Sequence, residues 1–181
     1  MSVMRKIIWA FFVLIIIAFG LFMHWSLPSR DVVRILGTDV ARQQVVVENP
    51  QGEEVTRARD IRYINTVSPS GKPMVYRNMD TGWGWPPYFK FDSADLAAEA
   101  QNRASTTEED PRWMIVTHYG WRIPIVSAFP NAVSIAPAEG PDQTLIPWLK
   151  IFVLVLLVAL AVFLWWWLHN IFKRRDAAKA A

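Results

Sequence analysis

The chain has 181 residues, of which 52% are hydrophobic and 19% are charged, and its formal net charge is +3. This length is enough for one modest domain, or for a smaller domain with membrane spans. Because the chain has no cysteine, a disulfide, a thiolate nucleophile, a cysteine-ligated zinc or iron–sulfur cluster and a covalently attached haem are all excluded.

The first element is an apolar segment long enough to cross a bilayer. From Ile7 onward the chain carries no formally charged residue until Arg30, and about 20 apolar residues suffice for a transmembrane helix. A cleaved signal peptide usually has a shorter apolar run of about 7–15 residues. The sequence therefore predicts an uncleaved signal anchor, with residues 1–6 as a cytoplasmic tail and residues 7–27 as the first transmembrane helix.

Residues 28–145 have the pattern of a small β-rich domain, because short strand-like runs alternate with Gly, Pro and Asn. Odd-numbered positions from Trp113 to Ile125 are nearly all large and apolar, which predicts that they form the core face. One helix is predicted from Ser93 to Arg103, because Asp92 or Ser93 can cap it. The predicted strands are Val32–Leu36, Gln44–Glu48, Asp60–Val67, Met74–Asn78, Arg112–Tyr119, Arg122–Ala128 and Ala132–Ile135.

The first predicted strand has a predicted pairing partner. Only seven residues separate Trp25 from Val32, so this strand starts close to the membrane. The region Arg112–Ile135 leads back to the second apolar segment and starts near the same membrane face. We therefore expect the segment Asp31–Leu36 to pair with a strand of that region.

The densest aromatic stretch of the central region runs from Trp83 to Phe91 and contains a Pro-Pro pair. One interpretation is a binding platform, because rigid aromatic rings offer a large contact area at a small conformational cost. The alternative is that these rings fill the core of a small domain that has no disulfides. The candidate interaction residues of this stretch are Trp83, Trp85, Tyr88 and Phe89.

A second uncharged run, residues 151–172, follows Pro147, which suits the first turn of a helix. Residues 146–172 are therefore predicted to be a second transmembrane helix, and residues 173–181 a basic cytoplasmic tail. Tryptophans near the ends of a span are typical of an interfacial belt. The alternative is that these three adjacent indoles, which exceed what anchoring needs, pack against a partner helix or a pigment. These further candidate interaction residues are Trp165, Trp166 and Trp167.

The distribution of charge predicts the orientation of the chain in the membrane, and the tryptophan positions support the borders of the spans. Both tails are basic, whereas the region between the spans has 12 basic and 15 acidic residues. The positive-inside rule therefore predicts cytoplasmic N and C termini and a periplasmic central domain. The basic tails favour contact with anionic lipid over nucleic acid. The candidate membrane-interface residues are Trp9, Trp25, Trp148, Lys173, Arg174 and Arg175.

Three runs of the sequence, Asp31–Val40, Val75–Ala100 and Val116–Ile135, resemble a bacterial membrane-protein family catalogued as a domain of unknown function, number 1523. The likeness covers most of the chain, including the first span. It implies a proteobacterial inner-membrane protein, and it supplies no activity, cofactor or site residues.

The histidines do not form a metal-binding motif. His24 and His169 lie at ends of the two predicted spans that face opposite sides of the membrane, so they cannot clamp one haem. His118 stands alone on a predicted strand, without the spacing of a metal-binding pair. It is therefore interpreted as a surface or rim residue rather than a ligand or proton carrier.

A signal-peptidase-like serine–lysine hydrolase is the enzymatic alternative. In that mechanism a lysine activates a serine just beyond a membrane anchor, and here Ser26 or Ser29 with Lys72 or Lys90 are the available residues. The sequence around these serines lacks the motif of such enzymes. There is also no P-loop, nucleophile elbow or dinucleotide-binding fingerprint.

The predicted fold class is an α+β membrane protein, with two transmembrane helices flanking a small periplasmic β-rich domain that has one α-helix. The leading hypothesis is a non-enzymatic accessory, assembly or stabilising subunit of a larger bacterial inner-membrane complex, for example a respiratory or photosynthetic one. It would contact that complex through its spans and its aromatic-rich domain. The alternative is a membrane-anchored periplasmic ligand-binding or sensing module. No catalytic residue, metal or cofactor is expected, and the expected partners are the lipid bilayer and an integral-membrane complex.

Overall fold

The computed structural model describes residues 3–48, 52–104 and 111–180. The chain forms two compact units, one containing α1 and α3 and the other comprising Ser26–Ile146. In chain order the elements are α1 (Val3–Ser26), β1 (Ser29–Glu48), β2 (Glu54–Val67), β3 (Pro73–Asn78), α2 (Ser93–Asn102), β4 (Trp113–Tyr119), a 3₁₀ turn (Pro124–Val126), β5 (Asn131–Pro137) and α3 (Trp148–Ala180).

The central unit is a closed five-stranded barrel with the strand order β1-β2-β3-β5-β4. Neighbouring strands are antiparallel except β3 and β5, which run parallel and pair through Arg77 and Asn131. Helix α2 connects β3 to β4. This strand order with a helix at this point is that of the OB fold, a five-stranded Greek-key barrel. The fold serves many functions and by itself assigns none.

The predicted helix and the predicted first pairing are confirmed. Helix α2 begins at Ser93, and the side chain of Asp92 caps it by accepting a hydrogen bond from the Asp95 amide at 3.3 Å. The beginning of β1 pairs antiparallel with β4, from Ser29 opposite His118 onward. The short connection between Trp25 and Val32 thus predicted this long-range pairing correctly.

Strand β1 is longer than predicted. The two expected strands Val32–Leu36 and Gln44–Glu48 are parts of one strand of 20 residues. A register shift between Ile35 and Gly37 bends β1, so that its first part pairs with β4 and its second part with β2. The predicted strand Val32–Leu36 ended at this irregularity, immediately before Gly37.

The prediction of the core face of β4 was wrong. The even positions Met114, Val116 and His118 are buried, whereas the odd positions are partly exposed. A barrel of so few strands has an interior only wide enough for side chains to fill, so the larger odd-numbered side chains cover its outside. The core cluster consists of Val33, Ile35, Ile64, Tyr76, Leu96, Ala100, Met114, Val116, Ala132 and Ile135.

The predicted strand Arg122–Ala128 is a loop. Pro124 opens a 3₁₀ turn of three residues, and an isolated β-bridge joins Ile123 to Ala128. Regular pairing of β4 with β5 already ends at Tyr119, and Pro124, which has no amide hydrogen to donate, does not favour its resumption.

Helices α1 and α3 are long and apolar enough to cross a membrane. The qualifying segments are Lys6–Ser26 and Trp148–Ile171, and neither is buried within the protein. Helix α3 continues past the second predicted span through the basic tail to Ala180.

Candidate interaction surface

The aromatic segment lies on a closed loop between β3 and α2. The amides of Thr81 and Gly82 each donate a hydrogen bond to the Lys90 carbonyl at 3.0 Å, and the Lys90 amide donates to Thr81 Oγ1 at 3.1 Å. Gly82 has a φ of 54°, a conformation that glycine adopts without steric cost. These bonds fix the base of the loop, so the residues between them are held in place.

A buried ammonium group secures this base to the barrel. Lys90 is only 8% exposed, and its Nζ donates hydrogen bonds to Asn78 Oδ1 and, at 2.8 Å, to the Ala132 carbonyl. Asn78 Nδ2 in turn donates to the Ser93 carbonyl at 2.8 Å. Burial lowers the pKa of Lys90 to about 8, although attraction to Asp80 opposes the shift. One side chain thus links the loop to β3, β5 and, through Asn78, α2.

The aromatic rings above the base face outward. Trp83 is 84% exposed, and its ring meets those of Phe89 and Phe91 edge to face, with centroid distances of 5.6 and 5.4 Å. Trp85, Phe89 and Phe91 are each more than half exposed. Such a cluster goes beyond the single exposed apolar residues that are normal on a protein surface. We call Trp83, Trp85, Phe89 and Phe91 the aromatic patch.

Tyr88 points in a different direction from the patch and anchors it. Its hydroxyl donates a hydrogen bond to the Ser26 carbonyl at 2.6 Å. Its ring stacks on Tyr119 with centroids 5.0 Å apart. Burial, with a further contribution from Tyr119, raises the pKa of Tyr88 to about 12. Tyr88 therefore holds the loop against Ser26, the last residue of α1.

A second apolar feature, which the sequence analysis missed, lies on the loop between β4 and β5. Ile125 is 95% exposed and Val126 is 67% exposed; we call these two residues the apolar tip. The Arg122 guanidinium braces the loop, because it donates to the Ala128 carbonyl at 2.9 Å and lies 4.1 Å from the centre of the Phe129 ring. Pro124, which lies within the predicted strand Arg122–Ala128, could have indicated a loop here, because proline interrupts strand pairing.

A polar cluster inside the barrel joins β1, β3 and β4. The Tyr76 hydroxyl donates a hydrogen bond to Asp31 Oδ2 at 2.8 Å, and His118 Nε2 lies 2.9 Å from the same oxygen. Burial, reinforced by Asp31, raises the pKa of Tyr76 well above its usual value. His118 is 8% exposed, so its interpretation as a surface or rim residue was wrong. The error followed from assigning the two faces of β4 in reverse.

The three adjacent tryptophans lie on α3, each at least half exposed. Trp165 stacks on His169 with a centroid distance of 5.7 Å. The indole of Trp166 lies 6.3 Å from the ring of Phe163.

The candidate membrane-interface residues lie on α1 and α3. Trp9 meets Phe12 edge to face, and Trp25 stacks on Phe22. Trp148, Lys173, Arg174 and Arg175 belong to α3. The side chains of the two arginines lie outside the described part of the structure.

Lys90, one of the two lysines of the serine–lysine alternative, has its own partners in the barrel. The Lys90 ammonium binds Asn78 and Ala132 rather than Ser26 or Ser29. Among the described residues, no group of three or more histidine, aspartate and glutamate side chains is placed to hold a metal ion.

Comparison with known proteins gives a family and one relative. A family model described as "Protein of unknown function (DUF1523)" matches residues 4–172. An uncharacterized protein of Haemophilus influenzae is 36% identical over 179 residues, which cover 92% of this chain and 99% of the relative. No solved structure matches the chain significantly. The chain therefore belongs to the DUF1523 family, as the resemblance of its sequence predicted.

Proposed function

We propose that the protein is a non-enzymatic accessory subunit of the bacterial inner membrane that docks laterally on a larger membrane protein. In this proposal α1 and α3 cross the membrane, both termini are cytoplasmic and the barrel is periplasmic. The apolar lengths of the two helices and the excess of basic residues in the tails support this arrangement.

The observation that carries the proposal is an apolar groove of about 370 Å³ between α1 and α3. At Gly20 there is open space where the side chain of any other residue would begin. The groove is lined by Ile15, Ile16, Phe19, Gly20, Leu154, Leu157, Val158, Leu160, Ala161 and Leu164.

Helices in a bilayer associate through van der Waals packing, and small residues let their backbones approach closely. Gly20 on α1 and Ala161 on α3 are the small residues of the groove. The space between α1 and α3 is not filled by their own side chains, which supports occupation by a helix of a partner. Successive helical residues differ by about 100° in direction, so Trp165, Trp166 and Trp167 add contact surface over about half the circumference of α3.

A matched pair of variants tests lateral docking. We expect the full-length chain, purified through a C-terminal tag in mild detergent, to retain a membrane protein in stoichiometric amount. Ala161→Phe fills the groove and should release this partner. Val162→Phe is the control, because Val162 is 59% exposed and does not line the groove, and this variant should retain the partner.

Two results would contradict lateral docking through the groove. One is recovery of the unmodified chain alone and monodisperse in several mild detergents. The other is retention of the same partner by Ala161→Phe as well as by Val162→Phe.

A further inference from the structure

We infer that the barrel rests on the outer surface of the bilayer, with the aromatic patch and the apolar tip inserted at the boundary between lipid headgroups and acyl chains. This inference rests on the proposed membrane anchoring by α1. It adds a lipid-binding surface to the periplasmic unit, separate from the groove between the helices.

The aromatic patch is tied to the point where the chain leaves the bilayer. Ser26 is the last residue of the apolar segment Lys6–Ser26 and also the first residue of the barrel unit. Its carbonyl therefore lies at the bilayer boundary if α1 spans the membrane. Tyr88 binds this carbonyl at 2.6 Å, and every residue of the patch lies within five positions of Tyr88. Since the base of the loop is closed at Thr81 and Lys90, the patch stays close to Ser26.

The direction of β4 brings the apolar tip toward Ser26 as well. Strand β1 leads away from Ser26, and β4 runs antiparallel to its first residues, so the chain beyond Tyr119 runs back toward Ser26. Four residues lead from Tyr119 to the bridge between Ile123 and Ala128, so this bridge lies at most about 13 Å beyond Tyr119. The three residues from Ser29 back to Ser26 span about 10 Å. The loops that carry the aromatic patch and the apolar tip therefore both lie toward the end of the barrel at which Ser26 stands.

The chemistry of both loops suits the interfacial region of a bilayer. Tryptophan is enriched where lipid headgroups begin, and phenylalanine, isoleucine and valine are favoured in the adjoining acyl region. Arg122 lies three residues before Ile125 in the sequence, and an arginine near the apolar tip can pair with lipid phosphate. Six large exposed apolar side chains on two loops would gain nothing from facing water. We therefore assign the surface to lipid rather than to a soluble ligand.

Site-directed fluorescence can test this surface, because the chain has no cysteine of its own. Single cysteines replace Trp83, Ile125, Leu14 or Val46 in the full-length protein, and each carries an environment-sensitive fluorophore. The proteins are reconstituted in phospholipid nanodiscs with and without lipids that bear a quenching spin label near the headgroup. Leu14 lies within the first span and reports on membrane insertion. Val46, on the part of β1 that pairs with β2 and 62% exposed, is the control for an exposed barrel residue.

We expect labels at Trp83 and Ile125 to be shifted to shorter wavelength and quenched at least about twofold more than at Val46, as for groups buried about 5–10 Å into the interface. The label at Leu14 should likewise report an apolar environment. Emission at Trp83 and Ile125 equal to that at Val46, with Leu14 inserted, would overturn the lipid surface and leave the anchoring intact. A water-exposed label at Leu14 would overturn both the anchoring and the inference that rests on it.

Discussion

Replacing Tyr76 by alanine is expected to lower the free energy of unfolding of the barrel by about 4 kcal/mol, as for other large-to-small changes in cores. The side chain is completely buried, and its loss leaves a cavity and removes one donor from Asp31. A small domain has a total stability of only about 5–15 kcal/mol, so this variant approaches the limit of folding. Denaturant titration of the full-length protein in detergent, followed by near-ultraviolet circular dichroism, measures the effect.

Tyr76→Phe is the matched control for the hydroxyl group. It keeps the ring, and Asp31 keeps its contact with His118, so the expected loss is only about 1 kcal/mol. If Tyr76→Ala were as stable as Tyr76→Phe, the core would not be centred on this ring.

The second large effect is expected for Lys90→Met. At pH 7 this change leaves Asn78 Oδ1 and the Ala132 carbonyl without the donor they now share, and each buried unsatisfied group costs about 1–3 kcal/mol. Removal of a buried charge offsets part of this cost. We therefore expect a net loss of about 2 kcal/mol, together with faster amide hydrogen exchange in the loop from Thr81 to Lys90, measured by mass spectrometry.

The pH dependence of stability separates the ionisation of Lys90 from its packing. Burial lowers the pKa of Lys90 from its ordinary 10.5 to about 8, so between these values the unfolded chain binds more protons than the folded one. Stability should therefore rise with pH in this window. From pH 7.5 to 9.5 we expect a gain of about 1 kcal/mol after allowance for solvent screening. This range lies below the titration of Tyr76 and Tyr88, whose raised pKa values make stability fall at higher pH. Lys90→Met should lack the gain, and an equal gain in both proteins would contradict the assignment to Lys90.

Local signals and chain tethers predicted much of the fold. Asp92 caps α2 because a helix start depends on a few neighbouring residues. The pairing of β1 with β4 was predicted from the short connection after Trp25, because so few residues restrict where the first strand can start. The strand order and barrel closure depend on contacts between distant strands, and no local pattern in the sequence specifies them.

The core face of β4 and the location of His118 were predicted wrongly, because the strand face with the larger apolar residues was taken to be the buried one. The large odd-numbered residues of β4 predicted a core face, but in a narrow barrel medium-sized side chains such as Val116 fill the inside. The same error assigned His118 to the surface and concealed its contact with Asp31.

The candidate surface was predicted only in part. Composition alone located the aromatic stretch, but it could not decide which rings point outward and which, like Tyr88, pack on the barrel. The role of Lys90 was missed, because a lysine between two phenylalanines is ordinarily placed in solvent. Its burial depends on Asn78 and Ala132, which come from two other strands.

Protease protection in inverted inner-membrane vesicles tests the central claim most directly, namely that α1 and α3 hold the barrel on the periplasmic side. In such vesicles the cytoplasmic face is outside, so added protease should remove a tag at the C terminus while the barrel stays intact inside. Detergent should then expose the barrel to digestion. Digestion of the barrel in sealed vesicles with survival of the tag would contradict the orientation, and with it the proposed site of action.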